Sequence, residues 1–408
     1  MRGGMSMIKR ERYMERIRPF IGNELIKVLT GIRRSGKSVM LEMIKEELIK
    51  RGIASEQIIS FNFESLSNAP FTTAEALYAE IRNRISSLTG KVYLFFDEIQ
   101  EVKDWEKCVN SLRVDCDCDI YITGSNAKLL SGDLATYLGG RYVEFVIYPF
   151  SFEEYLEGID PERKDISGSF RRYLESGGMP FITALPDDKT VIFQYLRDVY
   201  HSIILKDVVR YNSIRDVDLL ERVITYVMAN VGHTFSAKSI SDYFRSENRK
   251  VAPETVLNYI RACCNANLFC RVDRQDIPGK KILSVSEKYY IEDHGFREAV
   301  FGGNVRDIDQ LLENIVCMEL IRRGYTVYTG KSGDKEIDFV AEKGSEKIYV
   351  QVSYLLASEE TIEREFGVLR NIPDNYPKYV LSMDSFDRSR DGIRHCSVPD
   401  FLLMNRWD

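Results

Sequence analysis

The chain has 408 residues, of which 44% are hydrophobic and 29% are charged, a composition typical of a globular protein with two or three domains. No run of about 18 apolar residues occurs, and the charged N-terminal segment has no apolar centre, so we expect neither a membrane span nor a secretory signal. The net charge of −6 provides no general attraction to nucleic acids, and we expect a cytoplasmic protein.

The first informative element is a glycine-rich loop. Ile26–Thr30 is typical of a buried strand, and Gly31–Ser38 fits the pattern G-x-x-x-x-G-K-[ST] of a phosphate-binding P-loop. Glycines let backbone N–H groups turn toward phosphate oxygens, and the N-terminus of the next helix adds positive charge. We expect Lys37 to contact the β- and γ-phosphates and Ser38 to bind Mg²⁺; the alternative is a chance match. The predicted nucleotide-binding residues are Gly31, Ile32, Arg33, Arg34, Ser35, Gly36, Lys37, Ser38 and Val39.

A helix is predicted directly after the loop, because apolar residues recur at helical spacing. The residues on its apolar face are Val39, Met40, Met43, Ile44 and Leu48. Strand, loop and helix in this order are the context that the P-loop motif requires. Arg33 and Arg34 lie inside the loop and leave alternatives open: they contact a phosphate or a nucleobase, or they face solvent.

A second apolar run ends in two carboxylates. Val92–Phe96 is typical of a central parallel strand, and Asp97 and Glu98 follow it directly. Ligands of open α/β sheets bind at the carboxyl ends of the strands, so Asp97 should lie beside the P-loop and hold Mg²⁺ through water. Glu98 is then expected to be the general base that polarises the attacking water.

A third strand, Asp119–Thr123, leads into a polar turn. Ser125 or Asn126 could sense the γ-phosphate or orient the attacking water, whereas the alternative is an ordinary turn whose side chain caps a helix. Arg141 follows two glycines and could act in trans as an arginine finger on the nucleotide of a neighbouring copy. The alternative for Arg141 is a surface arginine that closes a turn.

Together these segments resemble a prokaryotic family of AAA+ ATPases, whose members join the ATPase domain to a C-terminal domain of unknown function. The resemblance includes two further segments and extends over nearly the whole chain. The segments that carry it are 31–38, 94–100, 123–126, 139–142, 148–155 and 177–180. The resemblance implies ATP as the nucleotide, Mg²⁺ as its cation and self-association into a homo-oligomer. A zinc site is not expected, because the eight cysteines form no C-x-x-C pair.

The chain after the ATPase core is predicted to contain a helical lid and then a winged helix-turn-helix. Residues 1–155 form the core, 156–215 the lid or linker, and 216–290 the winged helix. Within the last segment a helix covers Leu219–Val231. Ser236 begins a second helix, whose inward residues are Ile240 and Tyr243, and Pro253 begins a third. Two strands, Leu268–Val272 and Lys281–Val285, flank the turn expected to be the wing.

This winged helix is a candidate interface for duplex DNA. Its third helix would place Thr255, Asn258 and Arg261 toward the major groove, with Lys280 and Lys281 near the phosphate backbone. Residues 236–285 contain nine basic and five acidic side chains, a local charge of +4 in a chain of −6. Winged helices also pack against proteins, so a protein partner remains open.

The last segment, 291–408, resembles a restriction-endonuclease-like α/β domain. Such nucleases hold a metal between an acid on one strand and Glu-x-Lys on the next. Asp338 fits the first acid and Glu319 could be a helix acid, but Gln351 and Ser353 stand where Glu-x-Lys is required. Metal affinity should therefore be low, and we expect a fold that is retained for binding.

Three functions follow for this α/β protein, which combines a P-loop NTPase sheet, a helical lid, a winged helix and a nuclease-like domain. The first is an ATP-hydrolysing AAA+ switch that acts on DNA or on a protein partner. The second is an ATP-dependent nuclease, and the third is a nucleotide-gated scaffold without useful turnover. The predicted catalytic residues are Glu98, Lys37, Arg141 and Asn126, and the predicted metal ligands are Ser38 and Asp97.

Overall fold

The computed structural model describes residues 7–125, 139–277, 279, 281–303, 307–333 and 335–407, and only the backbone of 283–286. The predicted residues Asn126 and Lys280 lie outside the described residues. The chain forms two compact units. The first unit comprises Lys9–Pro149 and Asn265–Asn267, and the second comprises Met1–Ile8, Phe150–Cys264 and Leu268–Asp408. No helix in the described ranges is long and apolar enough to cross a membrane.

Five parallel strands form the centre of the first unit. They are β1 (Ile26–Thr30), β2 (Ile58–Asn62), β3 (Val92–Asp97), β4 (Cys118–Thr123) and β5 (Tyr142–Val146). Their order across the sheet is β2-β3-β4-β1-β5. Every residue of β1, β3 and β4 is buried, as expected for central strands that are covered on both faces. The sheet confirms the P-loop NTPase fold and all three strands predicted for it.

Helices cover both faces of this sheet. They are α1 (Glu11–Ile17), α2 (Lys37–Lys50), α3 (Ala74–Ile85) and α4 (Trp105–Asp115). Residues of α1 and α2 share one apolar cluster with β1, β3 and β4, and residues of α3 and α4 share a second. The predicted position of Val39 is wrong: its side chain is 44% exposed, because the buried stripe of α2 runs through Met40, Ile44 and Leu48.

The second unit begins with helices. They are α5 (Phe152–Ile159), α6 (Ile166–Ser176), α7 (Lys189–Ser202), α8 (Val217–Ala229), α9 (Ala237–Ser246) and α10 (Pro253–Asn265), and a π-helix (Ile203–Arg210) continues α7. Ser236 caps α9 and Pro253 begins α10, as predicted. The inward position predicted for Tyr243 is wrong, because α9 buries Ile240 and Phe244 and leaves Tyr243 exposed.

A seven-stranded mixed sheet completes the second unit. Its strands are β6 (Phe269–Asp276), β7 (Lys281–Ile291), β8 (Thr326–Ser332), β9 (Lys335–Lys343), β10 (Glu346–Val352), β11 (Lys378–Ser382) and β12 (Arg394–Ser397). Their order is β12-β11-β10-β9-β8-β6-β7. The remaining helices are α11 (His294–Phe301), α12 (Ile308–Arg322), α13 (Glu359–Arg370) and α14 (Val398–Leu403). The strands predicted for the wing thus share one sheet with those predicted for the nuclease-like domain, across the proposed boundary at residue 290.

A buried pair of titratable residues connects α6 to the start of α11. The Asp293 carboxylate accepts hydrogen bonds from the N–H groups of Gly178 (2.8 Å) and Gly295 (2.9 Å). The His294 Nε2 donates to the carbonyl oxygen of Tyr173 (2.7 Å), which requires a proton on Nε2. Gly177 is required here, because its φ is +74° and a Cβ would lie 2.0 Å from an Asp293 oxygen.

The two buried groups oppose one another in their effect on stability. Burial lowers the pKa of His294 from its ordinary value of 6.5 to about 4. The contribution of His294 to the free energy of unfolding is therefore present above pH 6.5 and is lost as the pH falls toward 4. Burial raises the pKa of Asp293 from its ordinary value of 3.8 to about 6. The contribution of Asp293 to the free energy of unfolding is therefore present below pH 3.8 and is lost as the pH rises through 6. The two dependences should largely cancel where they overlap.

We predict that His294→Gln reveals the pH dependence of stability that Asp293 causes. The free energy of unfolding of the variant should fall, relative to wild type, by on the order of 3 kcal/mol as the pH rises from about 4 to 6.5. Urea titrations of both proteins across this range measure the difference, and Asp293→Asn should shift the profile in the opposite direction. Parallel profiles for wild type and His294→Gln would contradict the assignment.

Candidate active site

The two glycines of the loop after β1 have conformations that other residues rarely adopt. Gly31 has a φ of +130°, and a Cβ there would lie 2.2 Å from the carbonyl oxygen of Ile147. Gly36 has a φ of +101° and is the residue before α2, where it contributes no capping side chain. The first N–H groups of α2 therefore face the loop without a side-chain cap, which is the arrangement that binds a phosphate.

Lys37 lies within the loop and is only 4% exposed. Its Nζ donates hydrogen bonds to the carbonyl oxygens of Gly31 (2.9 Å) and Ile32 (3.0 Å). The Ser35 Oγ is buried in the same loop and has no hydrogen-bond partner among the described residues. A loop with a buried ammonium and an unsatisfied hydroxyl is suited to an anionic ligand that supplies several acceptor oxygens.

The two predicted carboxylates lie at the carboxyl end of β3 and are joined through one hydroxyl. The Thr123 Oγ1 donates to Asp97 Oδ1 (2.6 Å) and accepts from the Glu98 N–H (2.9 Å). The other Asp97 oxygen accepts from Asn62 Nδ2 (3.0 Å). Glu98 has a left-handed backbone, with φ +56° and ψ +51°, which is uncommon outside glycine and asparagine. The site therefore holds both acids in a defined orientation.

The Glu98 side chain is half-buried near cationic groups. Burial raises the pKa of its carboxyl, and the Lys37 ammonium partly opposes this rise. Gln100 donates a hydrogen bond to Glu98 Oε2, and Arg33 contributes a further favourable electrostatic interaction. A carboxylate with a raised pKa beside the lysine of the loop is suited to accept a proton from water.

The remaining predicted residues are divided between the loop and its surroundings. Arg33 Nη1 lies 3.6 Å from Glu64 Oε1 and its side chain is largely buried, whereas Arg34 is exposed with a φ of +66°. Ser38 is exposed at the first turn of α2, and Ser125 is buried directly after β4. The structure thus brings the loop, Asp97, Glu98 and Ser125 to one edge of the sheet.

Arg141 lies away from this edge in its own chain. Its carbonyl oxygen accepts from the N–H of Ile26, the first residue of β1, so Arg141 is at the amino end of the parallel strands. The loop begins after Thr30, at the carboxyl end of the same strand. Arg141 is also exposed, which is compatible with both interpretations, a surface arginine that closes a turn and a residue that acts on a neighbouring copy.

Three residues at the site were missed by sequence reasoning. Thr123 was seen only as a strand position, and Asn62 ends β2, a strand that was not predicted; each ends a strand next to β3. Arg10 is 2% exposed; its guanidinium donates to the carbonyl oxygens of Ser35 (3.0 Å) and Tyr148 (2.7 Å). Nothing in the sequence distinguishes Arg10 from the basic residues around it.

In the second unit the predicted helix acid is wrong. Glu319 accepts hydrogen bonds from Arg322 (2.7 Å) and Arg323 (2.6 Å), and the Arg323 guanidinium also donates to the carbonyls of Leu402 and Met404. Glu319 therefore belongs to a buried network of ion pairs and hydrogen bonds that holds Leu402 and Met404, near the C-terminus, against its helix. Asp338, Gln351 and Ser353 do lie together, in an open cleft of about 440 Å³.

Comparisons with known proteins agree with the geometry. Residues 23–156 match the family described as AAA domain, and residues 167–307 match a domain of unknown function, DUF8612. An uncharacterized protein of Haemophilus influenzae is 39% identical over 402 residues, which cover 98% of this chain and 99% of that protein. An uncharacterized protein of Methanocaldococcus jannaschii is 30% identical over 394 residues, covering 92% and 85%. The chain belongs to the family of these AAA-domain proteins.

A solved structure gives the same result for the fold. A Walker-type ATPase of Pyrococcus abyssi superposes with a TM-score of 0.51 at 15% identity, covering 72% of this chain and 96% of that one. With the matched AAA domain, this fold makes the chain a P-loop ATPase, as the sequence predicted. The residues of the loop fit the nucleotide, because Ser35 and the start of α2 supply unsatisfied hydrogen-bonding groups.

We predict that Thr123→Val slows ATP hydrolysis by about 10-fold or more, with little change in nucleotide affinity. Valine removes both the hydrogen bond that orients Asp97 and the acceptor for the Glu98 N–H, whereas the phosphate contacts of the loop remain. Thr123→Ser retains the hydroxyl and should retain most of the turnover. Steady-state kcat and fluorescent-nucleotide binding measure the two effects separately, and a wild-type kcat for Thr123→Val would contradict the role.

Proposed function

We propose that this ATPase is a switch driven by Mg-ATP that acts on duplex DNA through its second unit. The observation that carries the catalytic part is the hydrogen-bonded set of Asp97, Thr123 and Glu98 beside Lys37. Lys37 contacts the β- and γ-phosphates, and Glu98 accepts a proton from the attacking water. Ser38 and Asp97 would hold the Mg²⁺, which would neutralise part of the phosphate charge.

Hydrolysis serves as a switch because the γ-phosphate contacts exist only before it occurs. Ser125 lies where it can respond to that phosphate, directly after β4 and one residue beyond Gly124, whose N–H bonds to Leu29 of β1. Arg141 completes the site of a neighbouring copy, which makes the active form a homo-oligomer. We place the protein in the cytoplasm, where ATP is available and its cysteines are reduced.

The exposed basic residues of α9, of the loop that follows it, of α10 and of β7 support DNA as the partner. Lys238, Lys250, Arg261 and Lys281 are exposed, and none has an ion pair among the described residues. The other described basic residues of this segment are neutralised by an acid: Arg245 by Asp242, Arg249 by Asp218, Arg271 by Asp273 and Arg274 by Glu336. Asn258 is exposed beside Arg261 on α10 and supplies a polar group for base edges.

The order of elements also supports a winged helix. Three helices, α8, α9 and α10, are followed by the antiparallel hairpin of β6 and β7. In this fold the third helix enters the major groove and the hairpin contacts the backbone. Arg261 on α10 and Lys281 at the start of β7 therefore belong to the two parts that contact DNA.

We predict that duplex DNA stimulates ATP turnover and that Arg261→Glu and Lys250→Glu abolish the stimulation without lowering basal turnover. Each change replaces a cation that would contact a phosphate with an anion. The slope of the logarithm of DNA affinity against the logarithm of salt concentration should become shallower by about one unit for each contact that is lost. Arg171→Glu, the same charge change at an exposed residue of α6, is the control. Turnover that is indifferent to DNA would contradict the proposal and favour a protein partner.

A further inference from the structure

A lysine outside the predicted nuclease-like segment lies among the acids of that segment. Lys288 of β7 is 4% exposed. Its Nζ lies 3.1 Å from Glu313 Oε1 of α12 and 2.9 Å from Glu336 Oε1 of β9. The Tyr290 hydroxyl donates to the same Glu313 oxygen (2.6 Å), and the Arg274 guanidinium lies 3.1 Å from Glu336 Oε2.

Asp338 belongs to the same group of charges. It is two residues after Glu336 on β9, so the two side chains leave the strand on one face. Glu313 and Lys288 are among its main electrostatic partners. Its Oδ2 accepts a hydrogen bond from the Val352 N–H (2.8 Å). Glu313 and Glu336 therefore meet at one ammonium, and Asp338 adds a third negative charge on the same face of β9.

The residue that would complete a metal site has its side-chain oxygen engaged by the backbone. Gln351 Oε1 accepts a hydrogen bond from the backbone N–H of Asp338 (3.2 Å), so its oxygen is used in pairing β10 with β9. No group of three or more described acid, histidine or cysteine side chains has an arrangement that could hold a metal ion. The residues present therefore do not fit the divalent cation that a nuclease-like fold implies.

We infer that the Lys288 ammonium takes the place of a divalent cation among Glu313, Glu336 and Asp338. The lysine supplies positive charge and N–H donors to carboxylates that would otherwise repel one another in a buried site. Because the cation is covalently attached, it cannot be exchanged for Mg²⁺, and the adjoining cleft has no metal to activate water. The second unit then binds its partner without cleaving it. This inference holds whichever partner the ATPase engages.

Removing the lysine should create a metal site. The probe is Mn²⁺ alone, added to nucleotide-free full-length protein that carries Lys37→Ala to disable the P-loop. In Lys288→Met the carboxylates lose the ammonium that lies between them and should close around one Mn²⁺, binding it at least about 10-fold more tightly than the Lys288 protein does. Its thermal midpoint should rise with Mn²⁺, whereas that of the parent should not.

Two matched variants separate this effect from a general loss of charge. Lys347→Met removes another lysine of the same sheet, which pairs with Glu342 at 3.0 Å, and should create no site. Asp338→Asn added to Lys288→Met should abolish the Mn²⁺ site. If Lys288→Met does not fold, Lys288→Gln keeps a polar side chain and should show the same gain.

Titration by electron paramagnetic resonance and by calorimetry decides between the outcomes. Mn²⁺ binding that appears in Lys288→Met and is lost with Asp338→Asn supports the inference. Binding by the Lys288 protein that disappears in Asp338→Asn would overturn it. Equal binding by Lys288→Met and Lys347→Met would overturn it as well, as would Mn²⁺-dependent cleavage of DNA by wild type that Lys288→Met abolishes.

Discussion

Parallel pairing of buried strands is the constraint on which the catalytic site depends. β1, β3 and β4 are neighbours without an exposed residue, and a shift of one residue would move buried side chains to the wrong face. This register places Asn62 opposite Asp97 and Leu29 opposite Thr123. The loop, both acids and the threonine hydroxyl therefore meet at one edge, and the close packing of Gly31 against Ile147 fixes the loop there.

The parts of the site that follow one another in the chain were predictable. A strand, two glycines, a lysine and a helix form a local pattern, and an apolar run that ends in Asp97 and Glu98 is equally local. Contacts between distant segments were not predictable: Arg10 reaches the loop from the N-terminal helix, and Thr123 orients acids 25 and 26 residues away. The same reason explains the error at Glu319. Its arginine partners are close in sequence, but the hydrogen bonds that join them to residues near the C-terminus could not be predicted.

Acids around β9 in the second unit are paired with cations from neighbouring strands. A buried carboxylate is costly unless a cation pairs with it. Here the cations are Arg274 of β6 and Lys288 of β7, and both strands lie outside the segment predicted to be nuclease-like. The single sheet that joins β6 and β7 to β8–β12 therefore brings Lys288 to these acids. Exposed basic residues on α9 and α10 and neutralised acids around β9 give the two regions different charges.

The assignment of Glu98 as the general base is the central claim, and the most direct test compares Glu98→Gln with Glu101→Gln. Glu101 is an exposed acid three residues later and serves as the control. We expect Glu98→Gln to bind ATP like wild type and to hydrolyse it about 10²-fold more slowly, because the base is lost while the phosphate contacts remain. Glu101→Gln should match wild type in both. Turnover by Glu98→Gln equal to that of wild type would contradict the account.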